Sequence, residues 1–257
     1  MPKVSVIVTT YNRKEYLTEI IQSILNQTYQ DFELIVVDNF SNYDFFALVK
    51  SFNSEKITPF QNQNNGVIAV NRNVGISHAK GEYIAFCDDD DVWIGNKLEE
   101  QITLLNKTKC DLVYSNMFLF KGDITNIIGK TSYEKINNLK NLIANNPIVT
   151  SSVLVRNKEL FFPEDLNLIA IEDYALWLNL YLKGFKFEFI DMPLVYFRIG
   201  ETNTSTNNKI WVTKHLKLIY LYVPILIHNP NLPIKIQIIR KIGLNYLKFW
   251  VKSIQSK

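Results

Sequence analysis

The sequence predicts an α/β fold, in which a Rossmann-like, mostly parallel central sheet is flanked by helices. Three observations predict it. Val4 to Thr10 is a β-branched apolar run without helical spacing, typical of a strand buried on both faces of a parallel sheet. An amphipathic stretch then places Leu17, Ile20, Ile21, Ile24 and Leu25 on one helical face, and Glu33 to Val37 is a second apolar run. Strand, helix and strand in this order predict a right-handed βαβ unit.

Apolar spacing and turn residues indicate the remaining elements. Helices are expected at Tyr43 to Phe52, Val67 to Ala79, Asn96 to Leu105 and Asp173 to Leu182, the last with Leu176, Trp177 and Leu180 inward. Strands are expected at Tyr83 to Cys87, Leu112 to Ser115, Ser151 to Val155 and Phe185 to Ile190. Asn12 and Asn96 are predicted N-caps, each with a glutamate three residues later, and Gly81 is the predicted C-terminal glycine of the helix before it.

Composition limits the class of protein. The chain has 257 residues, 47% of them hydrophobic, which suffices for one substantial core. Two cysteines are too few for a disulfide framework, and the N-terminus lacks the pattern of a secretion signal, so we expect a cytoplasmic protein. No nucleic-acid partner is expected. From Thr202 to Lys257 there are nine basic residues and no acidic one, and because the net charge is +3 the preceding residues carry −6.

Polar residues follow three of the predicted strands. They are Thr9 to Asn12 after the first strand, Asp38 and Asn39 after the second, and four aspartates, Asp88 to Asp91, after the strand that begins at Tyr83. In open α/β sheets, ligands bind beyond the carboxyl ends of the strands. The sequence therefore predicts one binding rim formed by these three clusters.

Four consecutive aspartates repel one another, so we expect them to bind a hard cation. Strand periodicity places Asp88 and Asp90 on the same side, and it leaves Asp89 and Asp91 for the other side, solvent or the following turn. Mg²⁺ or Mn²⁺ held by so few carboxylates keeps positions for substrate phosphate oxygens. The sequence has neither a Walker lysine loop nor a GxGxxG motif to neutralise phosphate instead. The alternative is an acidic loop that caps the next helix.

Two further charged positions are candidates for the same rim. Arg72 lies on a predicted helix and can contact donor phosphate or base, although an ordinary surface arginine is the alternative. Glu172 and Asp173 open a later helix, where acidic residues are also favoured for capping alone. Outside the aspartate cluster, Asp173 is the best candidate for a general base.

Five landmarks occur in order along the chain. They are Val4-Ser-Val-Ile-Val-Thr-Thr-Tyr-Asn-Arg13, Ile35-Val-Val-Asp-Asn39, Asn71-Arg-Asn-Val-Gly75, Phe86-Cys-Asp-Asp-Asp-Asp-Val-Trp93 and Ile171-Glu-Asp-Tyr-Ala-Leu-Trp177. Together they resemble the family-two inverting glycosyltransferases, which have the type-A nucleotide-diphospho-sugar transferase fold, over about Val4 to Arg198. The resemblance implies that Thr9, Tyr11, Asp38 and Arg72 line a nucleotide pocket, with Asp88 near the ribose, Asp90 on the metal and Asp173 as catalytic base.

The resemblance also implies a reaction. We expect transfer of a sugar from a nucleotide-diphosphate donor, expected to be a UDP-sugar, to a hydroxyl of a saccharide or lipid-linked saccharide in bacterial surface polysaccharide synthesis. Two departures affect this expectation: Asn39 stands where the family often has a second acid, and Gly200 stands where members often have a histidine. Thr202, Thr204 and Ser205 are candidate substitutes for that histidine.

Two other functions stay open at this point. A sugar nucleotidyltransferase usually has a glycine-rich basic loop after the first strand, and Thr10 to Arg13 lacks those glycines. A non-catalytic nucleotide-sugar binder of the same fold would not need Asp90 and Asp173.

We expect a glycosyltransferase catalytic domain at 1–205, with a nucleotide-binding half at 1–91 and an acceptor half at 92–205, followed by a basic amphipathic helical tail at 206–257. From Pro233 onward, helical spacing separates a face with Lys241, Lys248 and Lys252 from an apolar face. Such a helix suits peripheral contact with the inner face of an anionic membrane. The alternative is docking on the catalytic domain or on a second subunit.

Overall fold

The computed structural model describes residues 1–200 and has the predicted α/β architecture. The strands are β1 (Val4–Thr10), β2 (Phe32–Asp38), β3 (Ile57–Gln61), β4 (Tyr83–Asp88), β5 (Val92–Trp93), β6 (Leu112–Phe120), β7 (Ile127–Lys130), β8 (Leu154–Arg156) and β9 (Phe187–Arg198). The helices are α1 (Lys14–Leu25), α2 (Phe45–Ser51), α3 (Ile68–His78), α4 (Lys97–Thr108), α5 (Leu139–Asn145) and α6 (Glu172–Leu182). The predicted tail at 206–257 and the boundary at 205 lie outside the described residues.

The strands form one mixed sheet in the order β3-β2-β1-β4-β8-β6-β9-β5, with β7 paired to β6. β1 pairs in parallel with β2 and β4, β2 pairs in parallel with β3, and β6 pairs in parallel with β9. β8 is antiparallel to both of its neighbours. The predicted α/β fold with a central sheet flanked by helices is therefore confirmed, although the sheet is parallel only among β1 to β4 and between β6 and β9, and antiparallel at its other pairings.

Both faces of the sheet are covered, which explains why its central strands are apolar throughout. In β1, Val6 and Val8 pack on the face covered by α1, α2 and α4, whereas Ile7 packs on the face covered by α3, α5 and α6. The inward residues predicted for α1 and α6 are all buried except Leu25, which is partly buried. No helix within residues 1–200 is long and apolar enough to cross a membrane.

Helix α3 lies unusually close to the sheet. A Cβ at Gly75 would come within 2.5 Å of Ile7 Cγ2 in β1, so this helix position requires a glycine. The close approach turns one face of α3 inward and buries Ala69, Arg72 and Gly75 together. Arg72 is thereby directed under the rim of the sheet.

Of the three predicted helix-end residues, Asn12 and Gly81 were wrong, and Asn96 was right in position only. Asn12 does not cap α1: the helix begins at Lys14, and Asn12 has a φ of 54° and accepts a hydrogen bond from the Asn42 N–H. Asn96 occupies the N-cap position of α4, as predicted, but its side chain makes no capping hydrogen bond, and its amide group donates to Glu100. Gly81 is not a helix C-cap; a Cβ there would lie 2.5 Å from the Ser5 nitrogen, so β1 requires the glycine.

The predicted bounds of the later strands were too short or shifted. β6 and β9 extend well beyond Ser115 and Ile190, whereas Ser151 belongs to a 3₁₀ turn that precedes β8. Four elements, β3, β5, β7 and α5, were not predicted.

Candidate active site

The ends of three neighbouring strands meet at one edge of the sheet, as predicted. Thr10 in β1 is aligned with Asp38 in β2, and Thr9 is aligned with Asp88 in β4. The Asn39 N–H donates to the Thr10 carbonyl at 3.0 Å, which continues the pairing one residue past β2. The register alone therefore brings the three predicted clusters to one rim.

Asp38 is fully buried and held by protein donors. Its carboxylate accepts hydrogen bonds from the Ser41 N–H and the Gln61 side-chain amide, both at 2.9 Å, and from the Ser41 hydroxyl. The sequence did not identify Ser41 or Gln61, since Gln61 ends a strand that was not predicted. These three donors fix the orientation of the Asp38 carboxylate.

Thr9 and Tyr11 lie at the end of β1 in contrasting environments. The Thr9 hydroxyl is buried and has no hydrogen-bond partner among residues 1–200, whereas the Tyr11 side chain is exposed. Buried hydroxyl groups normally find a partner. Thr9 therefore offers a hydrogen-bonding group at the rim, and the contact of either residue with a nucleotide stays a prediction.

The four aspartates separate into two pairs by burial. The side chains of Asp88 and Asp90 are 31% and 23% exposed, whereas Asp89 and Asp91 are buried. Strand periodicity does not continue past Asp88, because β4 ends there and the Asp91 N–H donates back to the Asp88 carbonyl in a turn. The alternative that Asp89 and Asp91 face solvent was thus wrong. Asp88 and Asp90 are the solvent-accessible aspartates of the four.

Two arginines and a threonine hold the aspartate turn in place. Arg13 Nη1 lies 2.9 Å from both Asp89 Oδ1 and Asp90 Oδ2, and the Thr10 hydroxyl donates to Asp89 Oδ2 at 2.7 Å. From the other side, the Arg198 N–H donates to Asp91 Oδ1 at 3.1 Å, and its guanidinium donates to the Asp90 carbonyl. Neither arginine was selected from the sequence as a partner of this turn.

The accessible carboxylates suit a divalent cation. Burial and the nearby Asp88 charge raise the pKa of Asp90, so the two carboxylates are close enough to repel each other. Carboxylate oxygens are preferred ligands of Mg²⁺ and Mn²⁺. Within residues 1–200 no group of three or more acidic, histidine or cysteine side chains is arranged to hold a metal. Asp88 and Asp90 alone supply fewer than three such ligands, so a cation held here would take its other ligands from substrate or water oxygens.

Arg72 is buried and bridges two elements, so the surface alternative is wrong. Its Nη2 lies 2.6 Å from Asp88 Oδ1 at the end of β4, and its Nη1 lies 2.7 Å from Glu172 Oε1 at the start of α6. Burial opposes the charge of Arg72, but Asp88 and Glu172 outweigh it and raise the pKa of the guanidinium. Arg72 thus stays charged and ties the aspartate turn to α6.

Asp173 lies in the first turn of α6, beside this bridge. Its Oδ2 accepts a hydrogen bond from the Thr150 hydroxyl at 2.9 Å, and its Oδ1 accepts one from the Tyr174 N–H at 2.6 Å. Ile171 occupies the N-cap position, and Glu172 pairs with Arg72. Burial and the Glu172 charge, offset in part by Arg72, raise the pKa of Asp173 to about 6. A carboxylate with a raised pKa suits a general base better than an ordinary one.

The end of β9 closes the site from the side of α1. The Arg198 guanidinium donates to the Gly122 carbonyl, pairs with Glu19 and lies over the rings of Tyr16 and Phe120. Arg198 is therefore a framework residue of the aspartate turn. Gly200 is the last described residue, and the candidate substitutes Thr202, Thr204 and Ser205 lie outside the described part of the chain.

Comparison with known proteins agrees with this geometry. Residues 5–161 match the sequence model described as "Glycosyl transferase family 2". An Escherichia coli relative, the "UDP-Glc:alpha-D-GlcNAc-diphosphoundecaprenol beta-1,3-glucosyltransferase WfaP", is 32% identical over 80% of this chain and 81% of its own.

Two solved structures share the fold. S. aureus TarS 1-349 in complex with UDP-GlcNAc superposes with a TM-score of 0.72 at 20% identity, over 93% of this chain and 70% of its own. The mannosyltransferase PcManGT from Pyrobaculum calidifontis, in complex with GDP-Man and Mn²⁺, gives a TM-score of 0.61 at 18% identity, over 90% of this chain and 66% of its own. The strand-end rim, the sheet order and the family match lead to one conclusion: the chain is a glycosyltransferase and belongs to glycosyl transferase family 2.

Proposed function

We propose that this glycosyltransferase moves a sugar from a UDP-sugar to a hydroxyl of a lipid-linked saccharide, with inversion at the anomeric carbon, in bacterial surface polysaccharide synthesis. One observation carries the proposal: Arg72 joins Asp88 of the strand-end rim to Glu172, the neighbour of Asp173. A donor-side carboxylate and a candidate base on a different element thereby belong to one site. The names of WfaP and of the TarS complex support a UDP-sugar donor.

On the donor side, Thr9, Tyr11 and Asp38 line the proposed nucleotide pocket at the ends of β1 and β2, with Asp88 near the ribose. Asp38 lies buried beneath this pocket, and its carboxylate is oriented by Ser41 and Gln61. Arg72 lies behind Asp88, and its ion pair fixes the position of that carboxylate.

Asp88 and Asp90 would hold Mn²⁺ or Mg²⁺. When bound, such a cation stabilises the negative charge of the departing diphosphate. The Mn²⁺ in the PcManGT complex supports this assignment. Arg13 pairs with Asp89 and Asp90. It thereby stabilises the turn that carries the two proposed metal ligands, Asp88 and Asp90.

On the acceptor side, Asp173 takes the proton from the attacking hydroxyl. The acceptor oxygen forms its bond to the anomeric carbon as the bond from that carbon to the diphosphate breaks, in a single in-line displacement. The hydrogen bonds from Thr150 and from the Tyr174 N–H fix the carboxylate for this step. No covalent intermediate is required, so a nucleophile activated by histidine is not needed.

A transfer assay tests the proposal. The full chain, UDP-glucose and Mn²⁺ are incubated with an acceptor that carries GlcNAc diphosphate on a lipid, and the product is examined by NMR. Because UDP-glucose is an α-linked donor, single displacement should give a β-linked product. An α-linked product would contradict single displacement. Neither transfer nor donor hydrolysis with any of a panel of nucleotide sugars would favour the non-catalytic binder instead.

We also propose that the tail at 206–257, outside the described residues, holds the enzyme on an anionic membrane, where a lipid-linked acceptor is presented. The full chain should sediment with anionic liposomes in a salt-sensitive manner. A variant with Lys241→Gln, Lys248→Gln and Lys252→Gln keeps the apolar residues and should bind at least about tenfold more weakly, since each basic residue near such a surface contributes about 1 kcal/mol. Equal sedimentation of both proteins, or none of either, would show that the tail serves packing instead.

A further inference from the structure

Phe40 has an unusual backbone conformation for its side chain. Its φ is 57°, in the left-handed region that glycine and asparagine adopt readily and bulky residues rarely do. Among residues 1–200 it is the only aromatic residue with a positive φ. The residue is 58% exposed, so burial in the core does not offset the strain. Strain of this kind persists only where the surroundings impose it, and it occurs preferentially at functional sites.

The surroundings of Phe40 impose its conformation from both sides. On one side, Asn39 donates its N–H to the Thr10 carbonyl at 3.0 Å, and its side-chain oxygen accepts a hydrogen bond from the Asn64 N–H at 2.8 Å. On the other side, the Ser41 N–H and hydroxyl both donate to Asp38. The strained residue is thus held between two anchored neighbours, directly after β2.

The turn that contains Phe40 is hydrogen-bonded to the turn that contains Tyr11. The Asn12 N–H donates to Ser41 Oγ at 2.7 Å, and the Asn42 N–H donates to Asn12 Oδ1 at 2.8 Å. Tyr11 immediately precedes Asn12, and Phe40 immediately precedes Ser41. Tyr11 is 53% exposed. Two exposed aromatic residues therefore lie on hydrogen-bonded turns that directly follow β1 and β2.

We propose that Phe40 is a second aromatic contact for the donor base, which stacks on its ring while Tyr11 contacts the base from the end of β1. The inference rests on the proposed nucleotide-sugar donor. Stacking on an aromatic ring suits a nucleobase because every base has a π-face. It also explains why a phenylalanine, and not a glycine, occupies a left-handed position at the rim of the sheet.

The test compares four full-length proteins: wild type, Phe40→Gly, Phe40→Tyr and Phe46→Ala. Phe46 is an exposed phenylalanine on the nearby α2 and serves as the matched control. Calorimetric titration with UDP and with pyrophosphate, both in the presence of Mn²⁺, separates contacts to the base from contacts to the phosphates. Melting temperatures are measured in parallel without nucleotide.

We expect Phe40→Gly to bind UDP about tenfold more weakly, within the range that loss of base stacking produces, while its affinity for pyrophosphate is unchanged. Its melting temperature should equal or exceed that of the wild type, because glycine relieves the left-handed strain. Phe40→Tyr keeps the ring and should bind UDP like the wild type, as should Phe46→Ala. Lower affinity with undiminished stability is a combination that a purely structural role does not produce.

Two results would overturn the inference about Phe40 alone. One is wild-type affinity of Phe40→Gly for UDP, and the other is an equal loss of UDP and pyrophosphate affinity, which would show a general collapse of the site. A wild-type protein that binds pyrophosphate but none of UDP, GDP and dTDP would instead refute the nucleotide donor, and the inference with it.

Discussion

Asp173→Asn should lower turnover by about 10²- to 10⁴-fold, the range that general acid-base catalysis contributes, with donor affinity close to that of the wild type. Asparagine keeps the shape of the side chain, and its oxygen can still accept from the Tyr174 N–H while its amide group donates to the Thr150 hydroxyl oxygen. What it loses is the capacity to take a proton. The substitution should therefore lower kcat and leave the dissociation constant of UDP unchanged, and calorimetry measures that constant separately.

The pH profile of the wild type gives an independent check on Asp173. Its pKa is raised to about 6, first by burial and then by the Glu172 charge, while Arg72 acts in the opposite direction. A base must be deprotonated to act, so activity should fall as the pH drops below about 6 and level off above it. Because the folded-state pKa lies above the unfolded value, the ionised carboxylate destabilises the fold above pH 6. Asp173→Asn should therefore melt no lower than the wild type at neutral pH.

A matched control separates this role from a general effect of losing a carboxylate. Asp31 is exposed and precedes β2 at the opposite, amino end of the sheet, so Asp31→Asn should retain full turnover. If Asp173→Asn lost donor affinity to the same extent as turnover, Asp173 would be a structural anchor of α6. The general base would then have to be another group.

The sequence predicted the first half of the fold better than the second for a physical reason. β1, β2 and β4 are covered on both faces, so their apolar runs are continuous and easy to recognise. β3 was missed because it is an edge strand, only partly buried, with a proline at its centre. β9 was cut short because its pairing with β6 shifts register where Asp191 and Met192 are exposed, which interrupts the apolar run.

The candidate site was predictable where it follows from topology. Parallel strands end at one edge, so Thr9, Asp38 and Asp88 could be placed together before the structure was known. The residues that hold these side chains in place could not be predicted in this way. Arg72 and Glu172 are 100 residues apart, and Arg198 and Asp91 are 107 apart. Such pairs depend on how the second half of the chain packs against the first, which no local spacing encodes.

Asp90→Asn should abolish most of the activity, by at least about a hundredfold, since a bound cation contributes several kcal/mol of charge stabilisation to such a transfer. The fold should survive. Asp90 is partly exposed, its loss relieves repulsion with Asp88, and Arg13 keeps its second partner, Asp89. The wild type should lose activity in excess chelator and recover it when Mn²⁺ or Mg²⁺ is restored.

A thermal-shift measurement gives the same prediction a readout that does not depend on turnover. Mn²⁺ with UDP should raise the melting temperature of the wild type, because a ligand that binds only the folded state stabilises it. It should raise that of Asp90→Asn much less, and that of the control Asp31→Asn as much as the wild type. Full activity in excess chelator, or an undiminished Mn²⁺-dependent shift in Asp90→Asn, would show that Asp90 does not hold a required cation. The diphosphate charge would then have to be balanced by the arginines around the aspartate turn, beginning with Arg13, whose guanidinium lies 2.9 Å from Asp90.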